Sequence, residues 1–563
     1  MARPTDKRTN DLRRWEALKH ERSTWLPHWQ QLSRVFMPRT GRFVATQRNK
    51  GTKRHNDILD DTGTRAVRTL AAGMMSGMTS PARPWMRLSV PDANVARSPA
   101  VKQWLADVTG IMLDVFARSN TYRALHSAYE ELAVYGTSAI IVQYHPERVI
   151  HLTPLTAGEY AIATDWEGTP NTLFREFERP VSEIVGEFGY DNVSKTVRDA
   201  YDRGDLDQWF SILHVIEPRA DRDPSKMDAR NMAWRSCYWE MGCGEGDPPL
   251  REGGYRNFPA LVSRWAVSSG DIYGASPGMD ALGGARSLQH QQLRKASVLD
   301  YETNPPLVLP TTLKASDVDT LPGGRTYTDP TAAAGIRTLF NVGLRADNLI
   351  MDIQDTRQRI RAAFFEDLFL MLTGEDKTMT ATEVAERREE KMLALGPVLE
   401  RLHNELLEPL IDNTFACMLR AGIVPPPPPE LENTELTVQF ISVLAQAQRA
   451  VRNNSSDRLL AGIANIAGLK PEAVDVLDQD AWVRDYAEAL GTEPSLLLPD
   501  DAVAALRQQR AQAQAQAQAM QAANVGADTA QKLGKAPTAN GSNALQDVMS
   551  LFSGYSSPPP EAY

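Results

Sequence analysis

The chain of 563 residues is too long for one compact domain and suggests about three or four folded units. Its formal net charge of -10 argues against a dedicated nucleic-acid binder, because tight duplex binding needs Lys and Arg side chains that neutralise phosphates. No apolar run reaches the roughly 20 residues of a membrane helix, and the charged N-terminus does not resemble a signal peptide, so a soluble, non-secreted protein is expected. Cys237, Cys243 and Cys417 lack zinc-ligand spacing and are expected to be reduced thiols.

Apolar side chains recur every three or four positions through the first forty residues. Pro27 would break one long helix, so a second helix is expected to start near Ser23 or Thr24, with Pro27 in its first turn. The aromatic-rich stripe is expected to be buried core, and it consists of Leu12, Trp15, Leu18, Trp25, Leu26, Trp29, Leu32 and Phe36. Residues 1–55 hold fourteen Lys or Arg against four acids. That excess indicates either a solvated helix face or contact with an acidic partner surface.

A further helix is predicted after Asp60, Asp61 or Thr62, any of which can cap it. Its apolar face comprises Ala66, Val67, Leu70, Ala71 and Met74. Gly73 and Gly77 form a GxxxG pattern, which indicates close helix packing or simple turn flexibility. Pro81 and Pro84 then interrupt the chain before Trp85 and Leu88 return to a core. The stretch holds no catalytic group in place and favours a role in assembly.

Helical patterning continues through residues 100–140, and seven short β-branched or aromatic runs follow from Ala139 to Val267. These runs predict an antiparallel sheet packed on the N-terminal helices, in an α+β module of residues 1–270. The next segments are a helix at 271–303, a compact Pro/Gly-rich excursion at 304–335 and a second helix at 336–372. A polar break at 373–380 precedes a long helix at 381–424, with the apolar stripe Val384, Met392, Leu395, Leu399, Leu402, Leu406 and Leu410.

Pro425 to Pro429 read as a stiff linker, residues 425–430, before a helix-patterned region at 431–523. The Gln/Ala-rich part of that region has hardly any apolar stripe. It predicts either a helix stabilised only by neighbours in a ring or a disordered tail. Disorder is favoured after about Asn524, in residues 524–563.

The motifs that would indicate an enzyme fail on physical grounds. Gly274-Ala275-Ser276-Pro277-Gly278 matches the GxSxG elbow of serine hydrolases, but Pro277 has no N–H to serve as an oxyanion donor. A turn at the start of a helix is the favoured interpretation. No GxxxxGK[ST] loop indicates ATP hydrolysis, and no HExxH motif or acidic cluster indicates a metal site. No catalytic residue, metal or cofactor is therefore expected.

Two unusual stretches, WEALKHERSTWLPHWQQLSRVFMPRTGRF and DDTGTRAVRTLAAGMMSGMTSPARPWMRL, closely resemble the head-to-tail connector, or portal, proteins of T7-like short-tailed bacteriophages. The resemblance runs with decreasing clarity from about Trp15 to Pro425. It implies an α+β, portal-type ring subunit. In that subunit, residues 1–270 would form a helical and β wing, 271–303 and 336–372 a two-helix stem, 304–335 a small α/β clip, 373–380 a tunnel loop, 381–424 a long wing helix and 431–523 a helical crown or barrel.

The function implied by the resemblance is structural. Such a subunit would form a homo-oligomeric ring, a dodecamer, at one capsid vertex of the virion, after assembly in the host cytoplasm. Double-stranded DNA would pass through the channel during packaging and ejection. The implied partners are the major capsid and scaffold proteins, the terminase motor and the tail adaptor protein, with no membrane.

The resemblance also implies three sets of site residues. The DNA-facing tunnel loop would comprise Thr373, Glu375, Asp376, Lys377 and Thr378, although an ordinary solvated loop fits this segment equally well. Stem residues with mixed charges would make contacts between subunits: Arg345, Asp347, Asp352, Asp355, Arg357, Arg359 and Arg361. The clip would dock the tail adaptor through Lys314, Asp317, Asp319, Arg325 and Tyr327.

Two alternatives stay open at this point. One is an internal or tail scaffold protein without a channel. The other is a serine hydrolase built on Ser276.

Overall fold

A computed structural model describes residues 4–44, 57–303, 346–373, 395–442 and 500–535, with breaks at 93–94, 97, 224, 227, 243–247, 432–433 and 435, together with residues 307–309, 337–338 and a few single positions after 443. The chain divides into two compact units, Met1–Leu460 and Ala461–Tyr563, rather than the three or four that its length suggests. The first unit is large because most of its helices and its three-stranded sheet share one hydrophobic cluster.

The described part of the first unit contains helices whose bounds follow the apolar periodicity. In chain order they are α1 (Pro4–Arg22), α2 (Trp25–Phe36), α3 (Thr62–Met78), α4 (Pro99–Arg118), α5 (Thr121–Tyr135), α6 (Val181–Phe188), α7 (Lys195–Asp202), α8 (Pro277–Thr303), α9 (Ala346–Ala363), α10 (Glu366–Thr373) and α11 (Glu408–Ala421). The break between α1 and α2 lies at Ser23 and Thr24, as predicted from Pro27.

The strands pair in antiparallel sheets. They are β1 (Met86–Ser89), β2 (Thr137–His145), β3 (Val149–Leu155), β4 (Tyr160–Thr164), β5 (Pro170–Pro180), β6 (Trp209–Pro218), β7 (Trp234–Glu240), β8 (Arg251–Tyr255), β9 (Ala260–Arg264), β10 (Leu307–Val308), β11 (Arg337–Thr338) and β12 (Thr437–Phe440). The sheet orders are β3-β2-β9, β4-β5-β6-β7-β8, β1-β12 and β10-β11. The mixed helix and sheet content confirms the α+β class.

All seven predicted strand runs form strands, but they do not form one sheet. β2, β3 and β9 make a three-stranded sheet, and the remaining runs lie in a five-stranded sheet. The strand β8 was missed because its sequence, REGGY, contains two glycines and no hydrophobic alternation.

The N-terminal aromatic stripe is buried, as predicted, but in two separate cores. Trp15 and Leu18 of α1 pack on one face of the five-stranded sheet, whose opposite face is covered by α6 and α7. Trp29, Leu32 and Phe36 of α2 belong to the main cluster with α3, α5 and α8. Because the helix is interrupted after Arg22, α1 and α2 can pack in different hydrophobic cores.

The predicted single helix at 336–372 is wrong in two places. Arg337–Thr338 is a strand paired with Leu307–Val308, and the helix itself is divided into α9 and α10. At the division, Phe365 has a left-handed φ of +54° and Phe364 is fully buried. Burial of Phe364 against Phe36 and of Phe369 on α3 outweighs helical regularity, since both contacts need the change of direction.

The described part of the next predicted helix is helical from Leu395, and Leu395, Leu399, Leu402, Leu406 and Leu410 are buried, as the stripe predicts. A π-helical turn at His403–Leu407 interrupts it before α11.

The prediction of a purely helical region at 431–523 is wrong at its start. Thr437–Phe440 is the strand β12, which pairs with β1 and belongs to the first unit. In the second unit, α12 (Asp500–Lys535) extends past residue 523, the expected end of the helical region. The expected disorder from Asn524 is therefore wrong for residues 524–535, which are helical although Gly526 and Gly534 are weak helix formers. Residues 536–563 of the expected tail lie outside the described residues.

None of the described helices combines the length and apolar character needed to cross a membrane.

Candidate assembly site at the base of the helix pair

The helices α8 and α9 run antiparallel and pack through small and branched side chains. A Cβ on Gly284 would lie 3.6 Å from Ile360, whereas Gln291, seven residues further along α8, donates to Asp352 at 2.5 Å. Residues later in α8 therefore contact residues earlier in α9, as expected for an antiparallel pair. Buried Ala285 and Leu288 of α8 and Ile353 of α9 complete this seam.

Asp60 fastens both helices to the start of α3. Its side chain is 3% exposed, and its Oδ1 accepts hydrogen bonds from the N–H and hydroxyl of Thr62 at 2.9 and 2.5 Å. Its Oδ2 accepts from Gln292 Nε2 at 2.8 Å and from Arg357 Nη2 at 2.7 Å. One carboxylate therefore joins α3, α8 and α9.

Burial by itself would raise the pKa of Asp60, but hydrogen bonds from Thr62 and Arg357 outweigh burial and the net pKa is lowered. The carboxylate is therefore ionised in the folded protein. Gln289 of α8 reinforces the junction through the backbone: its Oε1 accepts from the N–H of Leu59 and Asp60, and its Nε2 donates to the Asp60 carbonyl at 2.9 Å.

The GxxxG pattern is a packing site. A Cβ on Gly73 would lie 2.2 Å from the ring of Phe369, and a Cβ on Gly77 would lie 2.7 Å from Leu444. Both glycines are on α3, so this helix receives α10 and the chain near Leu444 at van der Waals distance. Of the two interpretations offered by the sequence, close packing is confirmed.

Ser276 lies in a turn at the start of α8. Its hydroxyl donates to the Val134 carbonyl at 2.7 Å and accepts from the Met279 N–H at 3.1 Å, and the residue is 2% exposed. The preceding Gly274 lies so close to Gly136 that a Cβ on either would be within 2.3 Å of the other's carbonyl oxygen. The serine caps a helix and faces a carbonyl, which is the arrangement predicted from Pro277 rather than that of a nucleophile.

The structure places the charged residues predicted for the stem mostly in contacts within the chain. Arg357 binds Asp60, Asp352 accepts from Gln291, and the remaining pairs are Asp355 with Arg359 at 3.1 Å and Arg361 with Glu366 at 3.5 Å. Asp347 is exposed at the start of α9. Arg345 lies outside the described residues. A contact between subunits through these side chains stays a prediction.

Sequence reasoning missed Gln289 and Gln292 altogether and treated Asp60 only as a helix cap. No local pattern marks them, because their partners are about 230 to 300 positions away.

The other predicted site residues cannot be compared with the structure. Thr373 ends α10, and the next four tunnel-loop residues, Glu375, Asp376, Lys377 and Thr378, lie outside the described residues. So do the five clip residues Lys314, Asp317, Asp319, Arg325 and Tyr327.

The described residues contain no group of three or more His, Cys, Asp or Glu side chains that could hold a metal ion. Among them, Cys237 is buried and Cys417 partly buried, and both are free thiols. Burial raises the pKa of the Cys417 thiol, which disfavours the reactive thiolate.

Residues 8–498 match the sequence profile of the bacteriophage head to tail connecting protein family. The chain belongs to this family. The connector is 55% identical over 557 residues to a probable portal protein of Bordetella phage BPP-1, a match that covers 99% of this chain and 100% of the relative. It is 41% identical over 532 residues to the portal protein of Salmonella phage epsilon15, covering 94% of this chain and 96% of the relative.

Among solved structures, the connector has a weaker similarity to a chain in the neck of an empty gene transfer agent particle. The identity is 15%, the match covers 81% of this chain and 96% of that chain, and the TM-score is 0.38.

Proposed function

We propose that this connector is the portal subunit of a short-tailed phage, which forms a closed ring at one capsid vertex of the virion. The observation that carries the proposal is the 41% identity to a phage portal protein along nearly the whole of both chains. DNA would be packaged through the ring and later ejected through it. The role is structural rather than enzymatic, and the bonded position of Ser276 supports this over the hydrolase alternative.

The geometry suggests how the ring would work. Residues 1–270 would form the wing and α8 with α9 the stem, fastened to the wing through Asp60. A channel that bears load needs such a junction, because force along the stem must pass into the body anchored in the shell. Residues 304–335 would be the clip and 373–380 the tunnel loop that touches DNA. The long helix of 381–424, described from Leu395, would return to the wing. Of the segment 431–523, only the part from Ala461 would contribute the crown, because β12 pairs with β1 in the first unit.

The partners follow from these positions. The wing would contact the major capsid and scaffold proteins, and the clip would bind the terminase motor during packaging and the tail adaptor afterwards. The net charge of -10 suits a channel that surrounds double-stranded DNA without binding it tightly.

The deciding experiment combines native mass spectrometry of the purified protein with negative-stain images. We expect rings of about a dozen copies with an open axial hole. A closed ring without a hole would favour the scaffold alternative. Subunits that stay monomeric even when co-expressed with scaffold and shell proteins would contradict the proposal. An esterase activity abolished by Ser276→Ala would instead restore the hydrolase alternative.

A further inference from the structure

Trp166 is unusual among the tryptophans of the described residues. Its side chain is 90% exposed, whereas the next most exposed tryptophan, Trp209, reaches 38%. An exposed indole lacks the stabilisation that burial would provide, and contact with another molecule would supply it.

The turn that carries Trp166 is held in place from several directions. Asp165 Oδ1 accepts hydrogen bonds from the N–H groups of Glu167 and Thr169 at 3.0 and 2.9 Å, and Gly168 has a φ of +83°. The Gly168 carbonyl accepts from Arg264 Nη2 at 2.7 Å. Trp166 is therefore presented on a fixed support, which lowers the entropic cost of binding.

The arginine that holds this turn, Arg264, is itself buried and paired. Arg264 is 5% exposed at its side chain and forms an ion pair with Glu405 at 2.6 Å, in the π-helical turn. Tryptophan is also one of the residue types enriched among those that dominate the binding energy of protein interfaces.

A surface of matching chemistry lies on α8. Between residues 281 and 299 this helix has no Asp or Glu, although the chain as a whole is acidic. Its exposed side carries Arg286, His290, Leu293 and Arg294, which share one helical face at spacings of four, seven and eight, and Leu293 is 54% exposed. This face, defined by these four residues, lies opposite the buried Ala285 and Leu288.

A closed ring needs two different surfaces on each copy that fit each other on successive copies. Trp166 sits between the acids Asp165 and Glu167, and the exposed face of α8 combines an apolar side chain with two guanidinium groups. Indole over guanidinium is a favourable cation–π arrangement, and acid beside arginine adds a charge pair.

We propose that Trp166 of one copy packs on the exposed face of α8 in the next copy, over Leu293, with Glu167 paired to Arg294. This contact rests on the ring proposed above. It would link the turn after β4 to the stem of the neighbour, so that each stem is held by its own Asp60 and by the adjacent subunit.

The burial of Trp166 can be measured directly. The fluorescence of wild-type protein minus that of Trp166→Phe isolates the emission of this indole. In unassembled subunits it should be red-shifted and quenched by iodide. In purified rings it should shift to shorter wavelength and lose most of its iodide quenching. Equal quenching in rings and in subunits would overturn the contact.

Assembly measurements test the pairing. Trp166→Ala should raise the subunit concentration for half-maximal ring formation by about tenfold or more, as loss of an interface anchor does. Leu419→Ala, which removes another exposed apolar side chain, is the matched control and should leave assembly unchanged. Glu167→Arg and Arg294→Glu should each weaken assembly, and the double variant should recover part of the loss.

The two proposals fail differently. If wild-type protein forms no rings under any condition, the ring and this contact are both removed. If rings form normally and neither Trp166→Ala nor the charge reversals alter their formation, only this contact is removed. Urea unfolding of each variant subunit provides the folding check, and unchanged unfolding is expected because these side chains are exposed.

Discussion

The buried carboxylate of Asp60 accepts five hydrogen bonds, from Thr62, Gln292 and Arg357. A buried carboxylate costs free energy unless its hydrogen bonds are complete, so the site depends on all of its partners together. Arg357 is 30% exposed and can regain water if the carboxylate is lost, which moderates the cost on that side.

Asp60→Asn should lower the free energy of unfolding by about 2 kcal/mol, because the new amide N–H group would face the donors of Gln292 and Arg357. The neighbouring Asp61→Asn is the matched control. Asp61 pairs with Arg65 at the surface, where both side chains are more than half exposed, and its loss should cost about 0.5 kcal/mol or less. Urea unfolding of unassembled subunits measures both. Equal effects would show that Asp60 is not the junction inferred above.

Glu131 on α5 is a second buried carboxyl group. It accepts hydrogen bonds from the Thr156 hydroxyl at 2.7 Å and the Ala157 N–H at 3.0 Å. Burial nevertheless raises the pKa of Glu131 to about 8, because those two bonds compensate only part of the lost hydration.

This shift predicts a pH dependence of stability. The folded state retains the Glu131 proton up to about pH 8, whereas the unfolded chain releases it near pH 4.3. The wild type therefore loses stability as pH rises between these values. Glu131→Gln cannot titrate, so its free energy of unfolding relative to wild type should increase from pH 5 to pH 8. A difference that stays constant across that range would contradict the raised pKa.

At the scale of elements, residue periodicity located most helices and the seven β-branched runs. It did not locate the division between α9 and α10 or the separation of the sheets. Periodicity shows which face of a helix or strand is apolar, but it does not show which hydrophobic core that face packs in. Trp15 and Trp29 have the same pattern and enter different cores. The left-handed Phe365 has no local signal, since its conformation is imposed by the packing around Phe364.

Gly73 offers a test of the packing between α3 and α10. Gly73→Ala should destabilise the subunit by about 1 to 3 kcal/mol, because its Cβ would overlap the ring of Phe369. Gly110→Ala is the control within another helix, where no atom lies within 4 Å of the new Cβ. There the same change should stabilise by about 0.5 to 1 kcal/mol, through better helix propensity. Thermal unfolding of the two variants should therefore shift in opposite directions.

At the scale of the whole molecule, the sequence identified the family, because unusual residues around Trp15 to Leu88 occur in a distinctive combination. It could not supply the long-range junctions. β12 pairs with β1 across about 350 positions, and that pairing depends on the completed fold rather than on either segment alone. The same limit applies to Gln289 and Gln292 at Asp60.

The β1-β12 pairing makes a prediction about truncation. A chain that ends at residue 460 retains the first unit, including Phe440 and Leu444. A chain that ends at residue 430 loses β12 and uncovers β1 and Gly77. We expect the shorter chain to unfold at lower urea concentration and to aggregate through the exposed edge. Size-exclusion chromatography and urea unfolding of the two chains make the comparison, and similar behaviour would contradict a structural role for β12.

The pairing of β1 with β12 also implies a delay during synthesis of the chain. β1 leaves the ribosome early, but its partner emerges only after residue 440 has been made. At bacterial translation rates that interval is on the order of 20 to 70 seconds. Throughout that interval β1 lacks its partner strand, and its unpaired edge is a template for pairing with another chain. The first unit is therefore completed only after Phe440 has been synthesised, however early its other helices and strands form.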